Sequence, residues 1–294
     1  MKSQSWGIFW FLLLAFGIAW GSWFIAIGAG VSVIGAEFQL YALPGAFAPA
    51  FAAFVVRKWI TREGFADAGL GLHLRGWPYY LAGWLLPLFV VGVIALEAGA
   101  LGIATPDFAL TKALAGETGE RARQMAMSLG THPLVPGFPL VPETLLFALV
   151  TTPILWGEEF GWRGYLQQRL LVGRPVASAI VIGIIWGVWH FPLTLRGYNY
   201  PDHPYWGSSL FVVVTILIAY IFGWIFRRSG SIWASSLAHA ATNGVGGTLT
   251  ALWFAGAGPT IVSYSGLLAV PPLLAVCACI YLLERRMGNL ASRL

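Results

Sequence analysis

Apolar runs of about 20 residues, the length an α-helix needs to cross a ~30 Å hydrocarbon core, recur eight times along this chain. They fall at approximately 6–30, 40–58, 78–102, 142–169, 175–194, 207–227, 230–251 and 263–284. Such a pattern commits the chain to an all-α, polytopic membrane protein with about eight transmembrane helices. Composition agrees, because only 10% of the 294 residues are charged and 58% are hydrophobic, against the roughly 25% charge of soluble domains. Lys2 and the small residues Ala26, Gly28, Ala29 and Gly30 give the first run some features of a signal peptide. The run is, however, much longer than the apolar region such a peptide carries. No soluble domain and no repeat interrupts the pattern, so residues 1–294 read as one membrane domain, with its polar motifs confined to 142–251.

Orientation follows from the basic residues. With both termini cytoplasmic, 13 of the 17 lysines and arginines fall on the cytoplasmic side: Lys2, Arg57, Lys58, Arg62, Arg75, Arg163, Arg169, Arg174, Arg227, Arg228, Arg285, Arg286 and Arg293. Only Lys112, Arg121, Arg123 and Arg196 fall opposite, as the positive-inside rule requires. Topology thus accounts for the net charge of +5, and no cluster is dense enough for nucleic acid. Cys277 and Cys279, two apart on the last helix, read as packing or lipid-facing residues, since that spacing suits neither a disulfide nor a metal site.

The one long connection, 103–141, holds a polar helix-like stretch ("TKALAGETGERARQMAMSL") and then Pro133, Pro136, Pro139 and Pro142 at every third position. That spacing suits a polyproline-like strap, read either as a lid over an outer cavity or as an ordered loop. The GxxxG pairs Gly17/Gly21, Gly157/Gly161 and Gly183/Gly187 carry little weight as helix contacts, because 36 glycines produce about four such pairs by chance. Most of the 15 tryptophans read as interfacial belt or core.

The ionisable residues within the spans are few, and in a bilayer such groups mark function by default. They are Glu158, Glu159, Arg163, His190 and His239, joined by the neutral Asn243. Counted from the cytoplasmic helix ends at 1.5 Å per residue, Glu158 lies at about 16 Å, His190 at about 22 Å, His239 at about 13 Å and Asn243 at about 20 Å. Three helices of alternating direction therefore deliver polar groups to one layer. Glu159 and Arg163, four apart, share a face and can form an ion pair, although Arg163 also suits snorkelling to headgroups. Glu158, rotated by about 100°, is left to point into a cavity as a general base. His239 and Asn243 share a face and offer two donors to an oxyanion; Trp186, four before His190, can wall its imidazole. Taken singly, each histidine and the asparagine also suit interhelical hydrogen bonding.

"EEFGWR", "WGVWH" and "HAATN" resemble, in order, the three motifs of the CPBP family of intramembrane proteases, which includes the CAAX prenyl endopeptidases and the Abi proteins. The resemblance covers 158–243, with Trp186 where the family more often has phenylalanine. It implies an eight-helix fold and an endopeptidase acting on hydrophobic or lipid-anchored peptides at a membrane, by resemblance the prokaryotic cytoplasmic membrane. It assigns Glu158 and His190 to an attacking water, His239 and Asn243 to the oxyanion, and Glu159 and Arg163 to support. Zinc stays open as a cofactor: His190, His239 and Glu158 or Glu159 form a credible ligand set with an open position. No HExxH pair accompanies them, so metal-free catalysis is favoured. A transporter or a non-catalytic peptide scaffold is the reading from another class; the first three helices, which lack ionisable residues apart from Glu97 near an end, do not show the matched polar breaks of a repeat transporter. Oligomeric state and natural substrate are not written in these motifs.

Overall fold

The computed structural model describes residues 2–35, 37–128 and 139–291, and every regular element among them is helical. Among the described residues six helices are long and apolar enough to cross a membrane: Gln4–Gly28, Leu40–Ile60, Leu74–Ala100, Leu140–Leu166, Pro204–Ser229 and Leu267–Met287. The other two expected spans are helical as well, but one is shorter and the other composite. In chain order the elements are α1 (Lys2–Gly28), α2 (Phe38–Val55), α3 (Trp77–Ala100), α4 (Gly116–Ser128), α5 (Leu140–Gly161), α6 (Pro175–Trp189), α7 (Phe191–Thr194), α8 (Pro204–Ser229), α9 (Ile232–Ala241), α10 (Thr248–Trp253) and α11 (Val270–Ala291).

The expected 175–194 helix divides after Trp189, leaving the single turn α7; Pro192 has no N–H for the carbonyl four residues before it, and its ring crowds that carbonyl. The expected start of the last helix at 263 moves to Val270, because Gly256, Gly258, Pro259 and Gly266 hold the preceding segment in turns. Pro133 and Pro136 of the proposed strap lie outside the described residues. Pro142 sits in the first turn of α5 rather than in a polyproline strand, a place where a missing N–H costs nothing.

α1 packs on α2, α2 and α9 on α5, α3 on α9, and α8 on α6. Large apolar side chains such as Ile25, Leu96 and Val150 project outward, as a lipid-facing surface requires.

Two of the three discounted GxxxG pairs turn out to be contact seams. A Cβ on Gly161 would lie 2.7 Å from the Pro49 carbonyl oxygen, and one on Gly157 would lie 2.9 Å from the Ala46 oxygen, so α5 meets α2 backbone to backbone. On α6, a Cβ on Gly183 would lie 2.7 Å from the Ile216 nitrogen and one on Gly187 2.9 Å from Val212 Cα, which seats α6 against α8. Gly17 and Gly21 face open space. Chance frequency misjudged the first two pairs because it ignores which face of the helix is turned inward. Gly161→Ala or Gly183→Ala is expected to cost about 1–3 kcal/mol through overpacking; an unchanged thermal midpoint in detergent would show that these helices can slide apart freely.

At the basic end, Arg57 donates to Gly64 O (2.6 Å), Asp67 Oδ1 (2.7 Å) and Gly164 O (2.7 Å), tying the 61–76 loop to the end of α5. Burial pushes the Asp67 carboxyl up, but its hydrogen bond from Arg57 and the charges of Arg57 and Arg169 outweigh that and hold it below the usual carboxylate range. A depressed folded-state value means stability present above the unfolded pKa and lost on acidification. Lowering pH through about 4 and below should therefore loosen this loop, read as faster proteolysis within 61–76 at pH 3.5 than at pH 7 by an acid-tolerant protease, and Asp67→Asn should flatten the difference.

Candidate active site

The six polar residues singled out above lie on α5 and its extension, at the junction of α6 with α7, and on α9 with its extension. Each helix is started by its own sequence. Pro175 opens α6. Gly230 turns the end of α8 with φ 71°, and Ser231 caps α9 by accepting from Trp233 N at 3.2 Å. The Ser231 hydroxyl donates in turn to Gly71 O at 2.6 Å and accepts from Tyr80 at 2.8 Å, fixing the start of the helix that carries His239.

Two of these helices continue into π turns, Trp162–Leu166 after α5 and Thr242–Gly247 after α9. Arg163 stands in the first and Asn243 in the second. One extra residue per turn re-aims the side chains there, as π-bulges often do at functional sites. The glycine-rich "TNGVGG" was the available sequence signal for the second.

Glu159 and Arg163 form the expected pair, Oε1 to Nη1 at 2.8 Å, with both side chains fully buried. Arg163 is therefore not a snorkelling residue. Its guanidinium lies 4.7 Å from the Trp186 ring centroid and 5.2 Å from that of Phe222, a cation–π sandwich that substitutes for water. Glu159 has a second partner that spacing did not reveal: its Oε1 also meets His239 Nδ1 at 3.0 Å.

Glu158 differs from expectation. Rather than lacking partners, its Oε2 accepts from Trp186 Nε1 at 2.7 Å and from Trp162 Nε1 at 3.3 Å. Trp186 therefore holds the carboxylate as well as flanking His190, and Trp162, missed at the sequence level, stands one turn after Glu158 on the same face. No hydrogen bond from a described side chain engages Oε1. His190 is held by its Nδ1, 2.9 Å from Trp186 O. Aromatic rings of Trp23, Trp186, Trp189 and Phe211 surround its imidazole.

These contacts fix proton positions. A carbonyl oxygen only accepts, so His190 Nδ1 carries the hydrogen and Nε2 is the free nitrogen. Glu159, already accepting from Arg163, takes the Nδ1 hydrogen of His239 in the same way. In its neutral form each histidine therefore presents an Nε2 lone pair, not the neutral N–H donor expected of His239.

Glu158, His190, His239 and Asn243 line a single cavity of about 120 Å³, with Trp186, Thr242 and Tyr264 also in its wall. At its other end it is bounded by Asn199, Thr250 and Ser263. Residues 139–245, which supply most of this wall, match the family model of the type II CAAX prenyl endopeptidase Rce1-like proteins. Over that segment, about a third of its length, the chain is similar to this family of CPBP proteases. A curated relative, CAAX prenyl protease 2 of Methanococcus maripaludis, is 39% identical over 64 residues, 20% of this chain and 21% of that protein, so the two are matched over about a fifth of the relative's length. All three CPBP motifs fall inside the family match, and the cavity brings them together although 80 residues separate Glu159 from His239.

A CPBP zinc site would need three of these groups directed at one point within bonding reach. Among the described residues no three His, Cys, Asp or Glu side chains are gathered in that way. The carboxylate oxygens nearest the histidines are also engaged by indole and guanidinium hydrogens. The donor set does not fit zinc, and no step is derived through a metal.

Proposed function

We propose that this chain is an intramembrane endopeptidase that hydrolyses peptide bonds in hydrophobic or lipid-anchored peptides without a metal ion. The observation that supports this reading is the one cavity lined by Glu158, His190, His239 and Asn243, inside a bundle whose outer surface faces lipid. In this reading a water donates one hydrogen to Glu158 and the other to His190 Nε2 and attacks the scissile carbonyl carbon. Glu158 takes the first proton as the C–O bond forms and the carbonyl electrons move onto oxygen. Asn243 donates its amide hydrogen to that oxyanion, and His239 donates there from Nε2 when both ring nitrogens carry protons, with Nδ1 given to Glu159. The intermediate collapses, the C–N bond breaks, and Glu158 returns its proton to the leaving nitrogen. Trp162 and Trp186 orient the carboxylate of Glu158, and Arg163 holds Glu159 in place.

The test is cleavage of a hydrophobic peptide library by the purified protein in detergent or lipid, with and without a strong chelator. Equal cleavage in both arms is expected. Loss of activity on chelation would overturn the metal-free chemistry, and no cleavage in either arm would favour a peptide-binding scaffold.

A further inference from the structure

Tyr264 lines the catalytic cavity from a stretch that neither the three motifs nor the family match at 139–245 reaches. Between α10 and Leu267 the chain runs in turns, and that segment is pinned on both sides of Tyr264. Tyr200 donates its hydroxyl hydrogen to Ser265 O at 2.7 Å. Thr260 holds Asp202 twice, its hydroxyl donating to Oδ1 and its backbone N–H to Oδ2 at 3.3 Å, and Leu267 N returns to Thr260 O at 3.0 Å. Fixed backbone therefore carries Tyr264 to the cavity wall.

There it meets the π turn Thr242–Gly247 at three points. Its ring lies where a Gly246 side chain would stand, since a Cβ on Gly246 would come within 2.7 Å of Tyr264 Cγ. Its phenol is hydrogen-bonded to the Thr242 side chain. Its backbone N–H donates to Thr250 Oγ1 at 3.3 Å, and that hydroxyl donates on to Gly246 O at 2.8 Å, so one side chain ties the two backbones together. Of the six residues in the turn only Asn243 is not buried, and it lines the same cavity. Continued as an α-helix, the chain would keep Asn243 on the face of His239, four residues before it. In the wider, rarer π turn its direction is set from outside, and Tyr264 bears on residues at both ends of that turn.

We infer that Tyr264 is a positioning residue for Asn243: its ring and phenol hold the π turn in the register that aims the Asn243 amide into the cavity. The catalytic consequence rests on the protease reading above, because Asn243 serves the oxyanion only in that reading; the hold on the turn does not.

Tyr264→Phe keeps the ring and removes only the hydroxyl. Its kcat should fall about tenfold, with KM changed by less than about twofold, because a misplaced transition-state donor costs rate rather than binding. The thermal midpoint should stay where it is. Thr242→Val, which removes the partner of the phenol, should give the same loss. Asn243→Ala should cost on the order of 100-fold, and adding Tyr264→Phe to it should cost no more than about a further twofold, since residues acting through one another are not additive. Full multiplication of the two losses, or a wild-type kcat in Tyr264→Phe, would overturn the inference. Hydrogen exchange gives a readout that needs no catalysis: backbone amides of 242–250 should exchange at least about threefold faster in Tyr264→Phe, with those of α1 unchanged. Unaltered exchange at 242–250 would refute the hold on the turn. If no preparation cleaves peptide, wild type included, while exchange responds as expected, the protease reading fails and the hold of Tyr264 on the Asn243 turn stands.

Discussion

Glu158→Gln is expected to lower the cleavage rate at least about 100-fold, the usual worth of a general base, with little change in the folded protein. The replacement is nearly isosteric, and its amide oxygen still accepts the Trp162 and Trp186 indole hydrogens that hold Oε2 at 3.3 and 2.7 Å. What it removes is the ability to take a proton from water. The measurement is a rate on a fixed peptide beside a thermal midpoint for the same preparation. A glutamine variant that keeps more than about a tenth of the rate would remove Glu158 from the chemistry. Binding of uncleaved peptide should survive the change, which distinguishes a lost base from a lost pocket.

Glu159→Gln carries the second large effect, on stability and rate together. The pair it breaks is fully buried at 2.8 Å, and removing one partner of such a pair costs about 3–5 kcal/mol because the other charge stays buried and uncompensated. Arg163 would keep the faces of Trp186 and Phe222 and a neutral amide oxygen, but no counter-charge on Glu159's position. His239 would exchange a charged acceptor at its Nδ1 hydrogen for a neutral, weaker one. A fall in thermal midpoint on the order of 10 °C is expected, with a loss of rate beyond what unfolding explains. The double change Glu159→Leu with Arg163→Met tests the division of labour, because replacing a buried pair by apolar groups of similar volume is often neutral for stability. Recovered stability without recovered activity would assign Glu159 to the positioning of His239. Recovered activity would sink that role.

Much of this architecture was legible in the sequence because lipid leaves a chain few options. A long apolar run is a helix wherever it occurs, and the expected starts near 78, 142 and 175 lie within two residues of Trp77, Leu140 and Pro175. The Glu159–Arg163 contact was legible for a similar reason, since a four-residue offset on one helix places side chains together whatever surrounds them. The contacts of Glu159 with His239 and of Glu158 with Trp186 were not, because they cross between helices, and no periodicity states how two helices are rotated against each other. Trp162 was within reach, one turn from Glu158, but fifteen tryptophans in an apolar chain hide one with a specific partner. The π turns at Arg163 and Asn243 depend on tertiary packing that spacing alone does not carry.

The glycine seams set a limit on how this protein can change. Where α5 lies against Pro49 and α6 against Ile216 at backbone distance, no side chain remains to be trimmed or enlarged, so the helices that carry Glu158 and Trp186 can be neither spread nor drawn together by ordinary substitution there. Change has more room at α4, whose Thr118 and Arg121 line a neighbouring cavity of about 470 Å³ rather than the one lined by Glu158 and His239. Relatives that keep the seams and diverge in α4 are expected to share the Glu158 cavity and to differ in what lies beside it.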